Sequence, residues 1–503
     1  MARINLLLIF LTLGFLSACT PKVPDQTVQN AGEVRITPDY IDVTIPYNIA
    51  PLDFRVMEPA DRIRAVIRSE QGRQMVLRGR HKNIDIPAKA WRKLLEQNKG
   101  KDLYIDIYTH HDGHWTQFRP VCNHIAAEAV DPWLSYRLIE AGYTSYGATG
   151  LFQRNLETFD ERLVYSNAIA SDNGRTQAVG GHAVRQHNGA EWLFQVRDED
   201  AGLMLVNHDD IRKIEVMADS LGGTLMFAAY HPTLPLIAFS VNHNMQVLHS
   251  TLHERTDIID FASDLVLYDM QRQKLSYILR TEDRFETQPV WSPDGAKLFY
   301  CSAACPEWND SVSINAQLNM AYNEIRYDLH AISYDAGQGR FGAVDTVFRF
   351  TRGNVSAAFP NLSPDGRYML VSMARYGSFP GLQHISDIYL LDLETRDIAP
   401  LDPVNGNYAD GFASWSSDGR WIVVSSCRDD GQYARPYIAY FDTGGKVRKP
   451  FLLPQRRQME HVTRLASYNT PTFMRSPFTI SPRQLYRKIS GPADVFIAPA
   501  DQE

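Results

Sequence analysis

From Asp39 onward, apolar residues recur in short runs with partial alternation, and Gly, Pro, Asn and Asp gather between the runs. That period, with β-branched and aromatic enrichment, predicts half-buried strands. YIDVTIP, IRAVIRSE, RQMVLRG and DLYIDIYTH predict a small β-sandwich-like domain over 36–125, and AKAWRKLLEQN predicts one helix over 88–98. Residues 126–190 read as a connecting region, ending in a glycine-containing irregular stretch over 174–189. SPRQLYRKIS, 481–490, predicts a short helix within a C-terminal tail, 481–503, because Ser481 suits an N-cap and Pro482 a first turn.

Between these regions the pattern repeats. WSPDGAKLFY at 291–300 is matched by LSPDGRYMLV at 362–371 and WSSDGRWIVV at 415–424, with a weaker relative, YHPTLPLIAF, at 230–239. Each copy has an apolar approach, the turn, an apolar strand, and a further strand ending near an acidic residue. Repeats of four short strands predict an all-β chain with a β-propeller of about six blades over 191–480. The turn serines lie at 292, 363 and 416; a blade needs only ~40–45 residues, so the excess is loop, most clearly 306–324. Residues 145–170 and the C-terminal tail can supply a sixth blade that closes the ring.

Ser292 beside Asp294 could be read as a nucleophile and an acid. Recurrence argues for a turn instead. Pro293 and Pro364 preset φ, Asp294, Asp365 and Asp418 can accept backbone amides, and Gly295, Gly366 and Gly419 can turn left-handed. Trp291 and Trp415 are expected to pack between blades. No histidine base or Gly-x-Ser-x-Gly elbow accompanies the serine.

The first twenty residues change the picture. Arg3, a short apolar core over 4–15 and Leu16-Ser17-Ala18-Cys19 resemble a bacterial lipobox, which implies a signal peptide over 1–18, lipidation of Cys19 and a tether over 19–35. The partner this implies is a membrane, reached through the anchor, with a periplasm-facing outer-membrane position preferred over the cell surface. A formal charge of −7 over 503 residues carries no polybasic signature for nucleic acid.

Other chemistry is sparse. His111 and His114 flank an Asp-Gly turn dipeptide and are weak metal candidates, since a two-residue turn places them opposite each other. Cys301 and Cys305 are close enough to bridge or to remain free thiols. Arg428, Asp429, Asp430, Tyr433 and Arg435 form a charged loop after a repeat strand, a candidate partner-binding surface. Phosphate-loop and His-Glu-x-x-His motifs are missing from the sequence.

Longer phrases add a resemblance. DFASDLVLYDM, FPNLSPDGRYML, DIYLLDLETRDI and SWSSDGRWIVVSSCRDDGQYARPYIAYFD, with IPYNIAPLDF and DPWLSYRLIEAGY, resemble TolB-like β-propeller lipoproteins of Bacteroidota. Such relatives often carry a Cys-x-x-Cys-His haem motif. Here that region runs SNAIASDNGRTQAVGGHAVRQHN; His182 and His187 remain without thiols, so no cofactor is expected. The expectation is a non-catalytic protein-binding or scaffold module of the envelope, with a glycosidase-like hydrolase or a degenerate haem protein as alternatives.

Overall fold

A computed structural model describes residues 22–140, 149–216, 223–249, 256–309, 311–497 and 499–500. Cys19 and the expected signal peptide over 1–18 lie outside the described residues. The N-terminal part holds a seven-stranded sheet, with Arg62–Ser69, Asp102–His111 and Val121–Ile125 among its members, and a three-stranded sheet. The helix Ala88–Gln97 buries Trp91, Leu94 and Leu95, and the Trp91 indole donates to the Ile49 carbonyl at 3.0 Å.

The rest of the chain is a succession of four-stranded antiparallel meanders, six among the described residues. Their first strands are Ala466–Met474 (sheet 1), Gln177–Val184 (sheet 2), Thr224–Tyr230 (sheet 3), Arg284–Trp291 (sheet 4), Ser356–Leu362 (sheet 5) and Asp410–Trp415 (sheet 6). Each first strand touches the next, and Ala466–Met474 touches both Asp410–Trp415 and Gln177–Val184. The other strands of sheet 1 come from the opposite part of the sequence: Trp133–Glu140, Gly150–Asn155 and Glu161–Ser166. Apolar faces close the gaps between sheets, as where Leu236, Leu265 and Leu267 of sheet 3 meet Trp291, Leu298 and Ile332 of sheet 4.

Two stretches differ from expectation. Residues 174–189 contain a regular strand, Gln177–Val184, and one of its glycines has a packing reason: a Cβ on Gly180 would lie 3.0 Å from that of Gln195 on the paired strand. The tail is more than a helix. After Pro482–Ile489, which a capping box of Ser481 and Gln484 opens, Val495–Ile497 and Pro499–Ala500 add parallel edge strands to sheets 2 and 3.

The repeated turns join first to second strands in sheets 4, 5 and 6. In each, the serine hydroxyl donates to the aspartate two residues on and accepts the amide five residues on. The glycine amide donates back to the serine carbonyl at 2.8–3.0 Å, and Gly295, Gly366 and Gly419 have φ of +73°, +77° and +69°. The hydroxyls are thus engaged in closing the turn. Asp294 is held below the usual carboxylate range by the Ser292 hydroxyl and then by the Ala296 amide.

The turns also touch one another around the rim. A Cβ on Gly366 would lie 3.4 Å from Pro293, and one on Gly419 3.4 Å from Pro364. One on Gly295 would lie 2.4 Å from His231 of the weaker copy. There His231 replaces serine, its Nδ1 accepting the amides of Thr233 and Leu234 at 3.2 and 3.0 Å. Ser417, where the other copies have proline, donates its amide and hydroxyl to Asp131 at 2.7 and 2.6 Å. That contact helps seat the N-terminal part against sheet 6, beside the Trp421 indole on the Ala129 carbonyl and the Tyr440 hydroxyl on Glu128.

Candidate functional site

Every first strand slips register by one step in its middle. In five of them a residue other than glycine turns left-handed there: Phe227, Gln288, Phe359, Phe412 and Thr470, with φ of 48–56°; in sheet 2 the position holds Gly180-Gly181. A bulge re-aims the side chain that it carries. Here it gathers aromatic rings from sheets 3, 5 and 6. Phe227 of sheet 3 lies 5.7 Å from Phe359 of sheet 5, which lies 4.5 Å from Phe412 of sheet 6. Phe379, on the connection between the second and third strands of sheet 5, joins them at 5.7 and 5.9 Å. The rings are half-buried and cross the middle of the array. The Gln288 amide ties them in place, donating to the Ser378 carbonyl at 2.8 Å while accepting the Phe359 amide at 2.6 Å.

Beyond the rings lies a buried polar knot. Asp260 accepts from the Asn242 amide at 3.1 Å, the Tyr327 hydroxyl at 3.1 Å and the Ser378 hydroxyl at 2.7 Å. Burial pushes its carboxyl above the usual range, against the lowering by those donors. Nearby, Asp257 accepts from His249 Nε2 at 2.9 Å and the Tyr376 hydroxyl at 2.7 Å. Both carboxylates therefore hold structure, joining the strand Thr256–Asp269 to sheets 4 and 5.

This end of the array is extended by material that the repeats lack. Leu236–Leu248 and Thr256–Asp269 pair as a hairpin long enough to outrun its sheet. The helix Ile314–Ala321 packs onto it through Leu318, with Val247, Ile259 and Tyr376. Leu248 and Met320 stand 74% and 76% exposed, and Val312 and Ile385 are exposed as well. Four large apolar side chains at one end of the array are the kind of surface a partner covers.

Other groups fall elsewhere. Glu286, between sheets 3 and 4, is 2% exposed and has one oxygen without a hydrogen-bond partner among the described residues. Burial raises its carboxyl to about 7, and the charge of Asp264 adds to the rise. In the charged loop, Arg435 is only 3% exposed and donates to the His461 and Tyr433 carbonyls and Asp430. Arg428 stacks on Tyr437 at 4.3 Å and binds Ser426, and Asp429 accepts the Tyr437 hydroxyl. Asp429 and Asp430 are exposed and Tyr433 half-exposed, so of the five candidate residues these three carry the free surface.

His111 and His114 do pair across a two-residue turn, with φ of +49° and +82° at Asp112 and Gly113. No group of three metal-ligating side chains exists among the described residues. Cys301 and Cys305 are free thiols, the first buried in the cluster that carries the added helix. His182 accepts or donates at 2.9 Å with the Ser135 hydroxyl, and burial lowers its imidazole to about 3. Sequence reasoning missed the bulge residues, although Phe227, Gln288, Phe359 and Phe412 each stand four positions before a turn residue.

No family model matches the chain, and neither does any curated protein. Solved structures give remote likenesses. Oligogalacturonate lyase from Vibrio parahaemolyticus aligns over 82% of this chain and 97% of its own, at 11% identity and a TM-score of 0.32. Tricorn protease aligns over 71% of this chain at 11% identity and a TM-score of 0.33. A DUF4784 family protein from Bacteroides caccae aligns over 84% of both chains at 8% identity and a TM-score of 0.27. The chain spans only 33% of tricorn protease and 40% of a prolyl endopeptidase. Likenesses this remote carry no argument about activity.

Proposed function

We propose that the chain is a lipid-anchored envelope protein in which a TolB-like, six-bladed propeller, preceded by a β-sandwich-like domain, binds a protein partner without catalysing a reaction. The cycle of contacts among the first strands supports the ring, and the leader ending in Cys19 supports the anchor, facing the periplasm. One observation carries the binding reading: Leu248, Val312, Met320 and Ile385 are exposed at the end where the long hairpin and the added helix stand, opposite the self-bonded turns. Exposed apolar side chains gathered at one end are a surface that a partner covers.

A photo-crosslinking side chain placed at Leu248 or Met320 tests this in native envelopes, with Asp365 on the turn-bearing rim as control. Adducts of defined mass are expected from the first two positions only, and Leu248→Asp with Met320→Asp should remove them. Equal labelling from the rim, or no adduct from either apolar position, sinks the reading.

A further inference from the structure

The N-terminal part carries a second surface that the propeller reading does not use. A cavity of about 790 Å³ at one end of its large sheet is lined by Arg55, Arg78, Arg80, His81 and Lys82, with Asp61 as the one carboxylate. Arg64 and Arg78 stand directly opposite each other on paired strands, an arrangement that repels unless an anion relieves it. Arg62 and Arg64 both lie over the Trp115 ring, at 5.5 and 5.7 Å. Arg55 donates to Asn83 and Lys82 to the Glu58 carbonyl. The guanidinium groups of Arg78 and Arg80 make no hydrogen bond or ion pair among the described residues. The turn that presents these cations is costly in conformation: His81 and Lys82 have φ of +48° and +68°, where such turns favour Asn and Gly.

The sheet register says what lies near this cavity. Val28 pairs with Thr116, Thr116 with Thr109, Thr109 with Ile63, and the Gly79 amide donates to the Ile63 carbonyl. Val28–Asn30 runs parallel to His114–Phe118, away from the Asp112-Gly113 tip. The chain before Val28 therefore enters at the same end of the sheet as Arg80, His81 and Lys82. Eight residues lie between Cys19 and Val28, a span of about 30 Å when extended. If Cys19 is the anchor proposed above, this cationic end is held beside the bilayer, within reach of its phosphates.

We infer that the Arg78–Lys82 cavity takes the phosphate of an anionic phospholipid headgroup and so orients the N-terminal part on the membrane. This rests on the lipid-anchor reading for the ligand's source, while the cavity's preference for a phosphate does not. The full chain in neutral detergent micelles is exposed to phosphatidylglycerol, phosphatidylcholine or inorganic phosphate, with amide exchange followed over residues 75–84. Phosphatidylglycerol should slow exchange saturably and phosphatidylcholine should not. Arg78→Glu with Arg80→Glu should weaken the effect at least tenfold, while thermal unfolding does not fall, because neither side chain has a hydrogen-bond partner to lose and Arg78→Glu relieves the repulsion from Arg64.

Equal protection by both lipids, protection by inorganic phosphate alone, or an undiminished response in the variant overturns the inference. Mass analysis of the mature N-terminus reports separately on Cys19. An unlipidated Cys19 with a phosphate-selective cavity defeats the anchor and leaves a soluble-anion site, so the two failures are distinguishable.

Discussion

At one end of the repeat array, turns from three sheets make the same hydrogen bonds atom for atom, and each turn glycine rests on the preceding turn. At the other end, sheets 3, 4 and 5 join their second and third strands in three different ways: one uses an elongated hairpin, one a helix, one a loop that sends Phe379 towards Phe227. The first end is built from contacts within six residues, repeated. The second is built from contacts made once, between segments far apart in sequence, as when Ser378 and Tyr327 both reach Asp260. The repeated end frames the fold, and selection on the unrepeated end can change what is bound without disturbing the frame.

Four tests, two of them with a comparison variant, sharpen this contrast. Asp260→Ala should cost most, about 4 kcal/mol, because three buried donors lose their acceptor together; chemical unfolding measures it, and a loss below about 1 kcal/mol would show that the knot is incidental. Gly295→Val follows at about 3 kcal/mol, combining a left-handed φ with a Cβ pressed onto His231. Gly339→Val, left-handed but with open space around it, should cost less and separates the two contributions.

The third is a pH effect. Glu286 is raised from 4.5 to about 7 on folding, so the folded state prefers its protonated form. Its contribution is favourable below the unfolded value and is lost as pH rises through 4.5 towards 7, by roughly 3 kcal/mol. Wild type minus Glu286→Gln, compared at pH 4.5 and pH 7.5, isolates it. Burial lowers neighbouring His330, which acts with the opposite sign, and that contribution cancels in the difference. The smallest effect tests the rim: Ser417→Pro restores the repeat's own sequence yet should destabilise by about 2 kcal/mol, through the lost hydrogen bonds to Asp131. Pro364→Ser should cost under about 1 kcal/mol.

What could be read from the sequence divides along the same line. The turns were legible because serine, aspartate and glycine act on backbone within the same short stretch, and three copies removed the catalytic interpretation of Ser292. Ser417 was not, since its partner Asp131 is 286 positions away. The bulges were illegible for another reason: Phe and Gln give no local signal for a left-handed φ, and only contacts with other sheets hold them there. Gly180-Gly181 read as irregular because glycine marks both loops and tight strand contacts. In the charged loop, composition suggests solvent, but Arg435 turns inward to carbonyls that the sequence alone could not place.

The pairing of Trp133–Glu140 with Ala466–Met474 makes completeness of synthesis a structural property. A chain made from its N-terminus must keep the strand Trp133–Glu140, with Leu134, Tyr136 and Leu138, lacking its neighbour until Ala466–Met474 arrives. A product that stops short of Ala466 keeps that edge open for good, and open apolar edges invite other strands or proteolysis. This one strand pair thus separates molecules that can close the edge from those that cannot.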